Sequence, residues 1–233
     1  MGWKEYYQIS PESYFCRFGH ELLKRVLGES SHSPLAQKES LRLVLGGFSP
    51  HSSTAAAFIE SCRSLRPKSK DEIFLLDLNR QPFEISIPPS SRGGENPVCL
   101  QADLAEMPFP PGSLDCIWLD GTTNFMDDEK LACFGKEAER TLNKEGIVIS
   151  IFPEPLVSFL PFFRSVYESR LNRTRVYPRS AKATLGHLRD LKLICHLEAK
   201  RETALFFSRK DSPYEPFSGR PFALEALDEN FIP

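Results

Sequence analysis

RLVLGGFSPHSS, Arg42–Ser53, joins an apolar run to a glycine pair and then to small hydroxyl residues that open a helix. Leu41–Leu45 is short, apolar and bounded by turn residues, which predicts a buried strand. Gly46 and Gly47 permit a tight turn after it. Ser52 or Ser53 then caps a helix over Ser52–Leu65, whose first turn is rich in alanine. Ser49, Ser52, Ser53 and Thr54 place hydroxyls and free N–H groups at a helix N-terminus, which suits a carboxylate or phosphate. A plain turn followed by a plain cap has the same composition, so one glycine pair does not decide between them.

The rest of the chain repeats this strand-then-helix grammar. Ile73–Leu78, Val98–Ala102, Leu114–Leu119 and Ile147–Phe152 are further apolar runs of strand length. Between the last two, Asp127–Leu142 is predicted helical, closed by Asn143–Gly146. Ser13–Leu27 has Tyr14, Phe18, Leu22 and Val26 at four-residue spacing, an amphipathic helix. Pro155–Leu171 is an aromatic helix in which Phe159, Phe162, Phe163 and Tyr167 are too many for a solvated face. Ala181–Leu191 is another helix. Leu193–Glu198 and Thr203–Arg209 are too close in sequence for a crossover, so they pair as a hairpin. The alternation predicts an α/β fold, a Rossmann-like three-layer sandwich whose sheet is mostly parallel and ends in an antiparallel hairpin. The expected organisation is an N-terminal helix and linker over 1–40, a domain over 41–210 with a possible substrate cap at 153–180, and an irregular tail over 211–233.

Composition restricts what such a fold can serve. With 233 residues the chain can bury a large core without metals or disulfides. A net charge of −2 gives no global pull toward nucleic acid or membrane. Arg164–Arg201 is locally basic, but it carries no nucleic-acid motif and is expected to be a solvated face. The six cysteines include no Cys-x-x-Cys pair, which predicts buried, reduced thiols and no metal. MGWKEYYQIS has no apolar signal core, and no segment approaches membrane-spanning length, so the expected location is cytoplasmic.

In parallel sheets, ligands gather beyond the carboxyl ends of the strands. Four stations fall there. The glycine turn is the first. Asp77 ends the second strand, where an acid can accept both hydroxyls of a ribose; a turn or helix cap explains it equally well. Asp103 follows the third strand and can grip the amino edge of a purine, or stand as a solvated loop acid. Asp120, Thr122, Thr123 and Asn124 follow the fourth and can face a ligand's reactive end, although Asn124 or Asp127 can also cap the next helix. His51 is the one histidine near these stations and is recorded with Asp120 as a candidate catalytic group, although a lone loop histidine usually faces solvent.

The order of these stretches resembles a class I S-adenosylmethionine-dependent methyltransferase of the small-molecule, type 11 kind. QADLAEMPFPPGSLDCIWL, residues 101–119, matches the family's acid, spacer, apolar-Pro-Phe, Ser, apolar and Asp succession before the fourth strand. ERTLNKEGIVIS, residues 139–150, resembles its Arg-Val-Leu-x-Pro-Gly-Gly stretch, with Glu145 where glycine is common. The resemblance implies a seven-stranded sheet with one antiparallel strand. It also implies S-adenosylmethionine as cofactor, held by Gly46, Gly47, Ser49, Asp77, Leu78, Asp103, Leu104 and Asp120. The methionine end would lie at the glycine loop and near Asp120, the ribose at Asp77 and the adenine at Asp103 and Leu104.

The first loop departs from the family's acidic-x-Gly-x-Gly-x-Gly. Val44 stands at the acid, Phe48 at the second glycine and Pro50 at the third. Phe48 is expected to add bulk where backbone should approach the ligand, and Pro50 lacks a donor. Three functions follow as expectations. The first is methyl transfer to a small molecule. The second is a non-catalytic scaffold of the same fold that binds a protein partner. The third and weakest is a dinucleotide oxidoreductase, since GGFSPH lacks the G-x-G-x-x-G spacing.

Overall fold

The computed structural model describes residues 18–28, 33–48, 53–79, 97–153, 177, 179–198 and 202–213. Its strands are β1 (Arg42–Gly46), β2 (Glu72–Asp77), β3 (Val98–Gln101), β4 (Leu114–Asp120), β5 (Leu142–Pro153), β6 (Leu191–Glu198) and β7 (Glu202–Arg209). They form one seven-stranded sheet in the order β3-β2-β1-β4-β5-β7-β6. Strands β1 to β5 pair in parallel, while β7 runs antiparallel to both β5 and β6. The predicted parallel sheet with a terminal hairpin is therefore the fold observed.

Alternation along the strands explains the three layers, because successive side chains leave opposite faces of a sheet. Leu43 and Leu45 of β1, Ile73 and Leu75 of β2, and Cys116 and Trp118 of β4 enter one core. There they meet α1 (His20–Leu27) and α2 (Thr54–Leu65), through Leu22, Leu23, Val26, Phe58 and Ile59. Val44, Phe74, Leu76, Ile117 and Leu119 enter the other. That core is closed by α3 (Asp128–Thr141) and α4 (Ala181–His187), through Leu131, Phe134, Ala138 and Ala181. Strands buried on both faces read as continuous apolar runs, which is how they stood out in the sequence.

Several boundaries differ from expectation for identifiable reasons. Asn143–Gly146 does not lie outside the strand but forms an irregular start to β5: Leu142 pairs with Leu114, and pairing resumes at Ile147 opposite Cys116. Asn143 fixes this detour, accepting from Glu145 N–H at 2.9 Å and donating to the Asp115 carboxylate at 2.6 Å. A Cβ on Gly146 would lie 2.8 Å from the Leu114 carbonyl oxygen, so only glycine passes. Helix α4 stops at His187, four residues early, because Leu188 turns into the second core and Leu191 already pairs with Arg209. Cys62 and Cys116 are buried thiols as expected, but Cys99 and Cys133 are exposed. Cys99 lies on β3, whose edge position leaves it mostly uncovered among the described residues. The aromatic helix expected over 155–171 and the tail beyond residue 213 lie outside the described residues.

Candidate functional site

Sheet order places the four stations side by side, since β3, β2, β1 and β4 are consecutive neighbours. Gly46 and Asp77 are the last residues of β1 and β2, Asp103 follows β3 by two residues, and Asp120 ends β4. Residues separated by up to 74 positions in the chain thus meet along one edge. Ser49, Pro50 and His51 lie outside the described residues.

The glycine turn is tied directly to Asp77. Gly47 N–H donates to the Leu76 carbonyl at 2.8 Å, and Phe48 N–H donates to Asp77 Oδ2 at 3.2 Å. Asn79 N–H donates to Asp77 Oδ1 at 2.8 Å. The Asn79 side chain also hydrogen-bonds to this carboxylate. An ionised carboxylate offers about four acceptor positions, so these bonds still leave capacity for a further donor. Burial holds the Asp77 carboxyl above the ordinary carboxylate range, against the opposite pull of the Asn79 and Phe48 N–H groups.

Phe48 does not obstruct the turn. Its ring is 7% exposed and packs into the first core, with Phe58 among that cluster. The expectation that it adds bulk toward a ligand is therefore corrected: an apolar ring gains more from the helix layer than from the strand edge. Val44 is fully buried in the second core.

What faces the glycines is Thr122. Its hydroxyl lies 2.8 Å from both the Gly46 and the Gly47 carbonyl oxygens. Gly47 has φ 64°, and a Cβ there would stand 2.4 Å from Thr122 Cγ2. A Cβ on Gly46 would stand 2.6 Å from Leu104 Cδ2. At Gly47 the positive φ and the Thr122 side chain together require glycine, whereas at Gly46 a Cβ would force the Leu104 side chain to shift. Leu104 is buried against Gly46, whereas Leu78 is 53% exposed just beyond β2.

The remaining acids have partners inside the chain. Asp103 accepts from Ala105 N–H at 3.0 Å and pairs with Lys130 at 3.1 Å. Asp120 accepts from the Thr54 hydroxyl at 3.0 Å, pinning the start of α2 to the end of β4. Asp127, not Asn124, caps α3, accepting from Lys130 N–H at 2.8 Å.

Sequence reasoning missed Arg179, which holds the β4 loop in place. Its guanidinium is buried; it donates to the Thr123 carbonyl at 3.0 Å and to Asp128 Oδ1 at 2.6 Å. Beside it Tyr177 N–H donates to the Asn124 carbonyl at 2.7 Å. The Arg179 hydrogen bond keeps the Asp128 carboxyl below its ordinary range. A cation whose partner is a backbone carbonyl 56 residues away leaves no local pattern to read. Lys130 is likewise one charge among many on the exposed face of α3.

A seven-stranded sheet of this order, with a glycine turn on β1 and acids ending β2 and β4, defines the class I methyltransferase fold. Comparison with known proteins agrees. Residues 60–150 match the family model described as "Methyltransferase domain". A Pyrococcus horikoshii OT3 protein is 13% identical with a TM-score of 0.62, covering 90% of this chain and 100% of that one. A SAM-dependent methyltransferase from Aquifex aeolicus is 12% identical with a TM-score of 0.58, covering 88% and 97%. Geranyl diphosphate C-methyltransferase from Streptomyces coelicolor A3(2), solved with Mg2+, geranyl diphosphate and S-adenosyl-L-homocysteine, is 12% identical with a TM-score of 0.56, covering 82% and 78%. At these identities the structures establish the shared fold. No curated protein matches. The resemblance read in the sequence is borne out: the chain is class I methyltransferase-like.

Proposed function

We propose that this protein binds S-adenosylmethionine at the edge formed by β3, β2, β1 and β4 and transfers its methyl group to a small molecule. The observation that carries the reading is Asp77, an acid at the end of β2 bonded to the turn after β1, with acceptor capacity to spare. A ribose diol presents two donors to such a group. Gly46, Gly47 and Ser49 would receive the methionine end, Leu78 would flank the ribose, and Asp103 with Leu104 would meet the adenine. When bound, S-adenosylmethionine supplies a methyl group on a cationic sulfur, open to in-line attack by an acceptor's nucleophile. The chain's own contribution is to fix that geometry, since holding two reactants in line accounts for much of such a rate. Thr54, Asp120, Thr122 and Arg179 set the β4 loop against the glycine turn and so define where an acceptor approaches. Asp120 and His51 are the candidates for a proton acceptor.

The methyltransferase-like unit spans 41–210 in this reading, with α1 built onto its core. A small acceptor accords with the type 11 resemblance. A cytoplasmic location accords with the finding that no described helix is long and apolar enough to cross a membrane. One observation favours the competing reading of a non-catalytic, partner-binding member: Asp103 and Asp120 already have partners in Lys130 and Thr54. Calorimetric titration separates the readings. S-adenosylmethionine and S-adenosylhomocysteine are expected to bind and NAD(H) is not. Asp77→Ala should lose about 1.5–3 kcal/mol, the scale of hydrogen bonds to a charged group. Binding unchanged in Asp77→Ala would remove the assignment.

A further inference from the structure

We propose that Thr122 is an internal occupant of the ligand's place at the glycine turn, so that a ligand binds there by displacing its side chain. The inference rests on the cofactor reading above and specifies what controls that site. Two carbonyl oxygens, on Gly46 and Gly47, converge on one point, and the Thr122 hydroxyl occupies it at 2.8 Å from each. A hydroxyl has one proton, so the two acceptors share it. A cationic ligand group with several N–H donors can serve both. The open side of Gly47, where a ligand could approach the backbone, is likewise filled, since its missing Cβ would meet Thr122 Cγ2 at 2.4 Å and Oγ1 at 2.9 Å.

Thr122 cannot yield by moving its backbone. Gly121 N–H donates to the Ile151 carbonyl at 2.7 Å, Arg179 holds the Thr123 carbonyl, and Tyr177 holds that of Asn124. Displacement is therefore a rotation about the Cα–Cβ bond, and β-branched threonine has few rotamers to choose from. Ligand binding forfeits the shared hydrogen bond, so part of the binding free energy is spent on opening the turn.

The test uses the full-length protein and S-adenosylhomocysteine as probe. Thr122→Ala removes both the hydroxyl and the methyl, and Thr122→Val removes the hydroxyl while keeping the shape. Both are expected to bind S-adenosylhomocysteine tighter than the native chain, by roughly two- to tenfold, the equivalent of one net hydrogen bond. Both should also melt at lower temperature without ligand, because the internal contact is lost. Thr122→Ser keeps the donor but lacks the methyl and the β-branch, and should bind S-adenosylhomocysteine with an affinity between those of the native protein and Thr122→Ala. If Thr122→Ala does not fold, Thr122→Val alone carries the comparison. Affinity equal to or weaker than native in the foldable variants would overturn the inference and make Thr122 a ligand contact or a bystander. Loss of binding in Asp77→Ala under the same conditions would leave the methyltransferase reading standing. Absence of binding in the native, Ala and Val forms together would overturn both.

Discussion

Asp77 is costly to keep ionised in the unliganded chain. Its carboxyl is raised by burial, so the folded state holds the proton more tightly than the unfolded state does. The stability it contributes is fully present below the unfolded value, about 3.9, and is lost as pH rises through the folded value. At neutral pH the group is therefore a local expense, as binding residues often are. A ribose diol donates to the ionised form. We expect S-adenosylhomocysteine affinity to fall on acidification in a window above the ordinary aspartate range. Asp77→Asn should bind roughly ten- to a hundredfold more weakly and lose that pH dependence. Calorimetry across a pH series checks both. An unaltered pH profile in Asp77→Asn would assign the titration elsewhere.

Arg179 governs the loop after β4. Its side chain is 6% exposed while its partner Asp128 is 69% exposed, so the two ends of the pair differ in consequence. Removing the guanidinium leaves the Thr123 carbonyl with only the 3.4 Å contact from Met126 N–H and loosens the attachment of Thr122. Arg179→Ala should cost about 1.5–3 kcal/mol in chemical denaturation, the scale of a hydrogen bond from a charged group. Asp128→Ala should cost well under that, since an exposed partner contributes little. Asp128 has its pKa lowered by Arg179, so what it adds is present above about pH 3.9 and is lost as pH falls through its depressed folded value. Equal losses in the two variants would show that the ion pair, rather than the carbonyl contact, holds the loop. The strands flanking this loop were legible because a run such as LDCIWL has no polar face to misplace. Thr122 was legible as a member of a polar cluster after β4. Its contact with the glycines was not, because hydroxyl-to-carbonyl bonds 75 and 76 residues apart depend on which strands are neighbours. Phe48 misled for the same reason: its direction is set by the helix layer behind it.

The whole molecule is fastened at the opposite, amino-terminal end of the strands by a second buried cation. Arg66 and Asp71 pair at 2.8 Å with side chains 6% and 7% exposed. Arg66 also donates to the Leu35, Ala36 and Lys38 carbonyls, and Asp71 accepts from Leu41 N–H at 2.8 Å. This cluster binds the segment before β1 to the entry of β2. Breaking such a pair leaves a buried charge, so Arg66→Ala should destabilise by about 3–5 kcal/mol. Arg66→Lys should recover little, because an ammonium lacks the planar fork that serves several acceptors. Thermal or denaturant unfolding measures both, and a near-native Arg66→Lys would contradict the role of the fork. At this scale the fold was legible from the spacing of apolar runs, since strand-helix alternation admits few topologies. The site was legible as positions but not as bonds.

The central claim is that the edge of β3, β2, β1 and β4 takes S-adenosylmethionine. Hydrogen exchange of the native protein with and without S-adenosylhomocysteine tests it most directly. The account predicts slower exchange in peptides spanning residues 42–48, 72–79, 101–107 and 114–125, with β6 and the Arg66 cluster unchanged. Binding without protection at these four strand ends, or protection centred elsewhere, would contradict it.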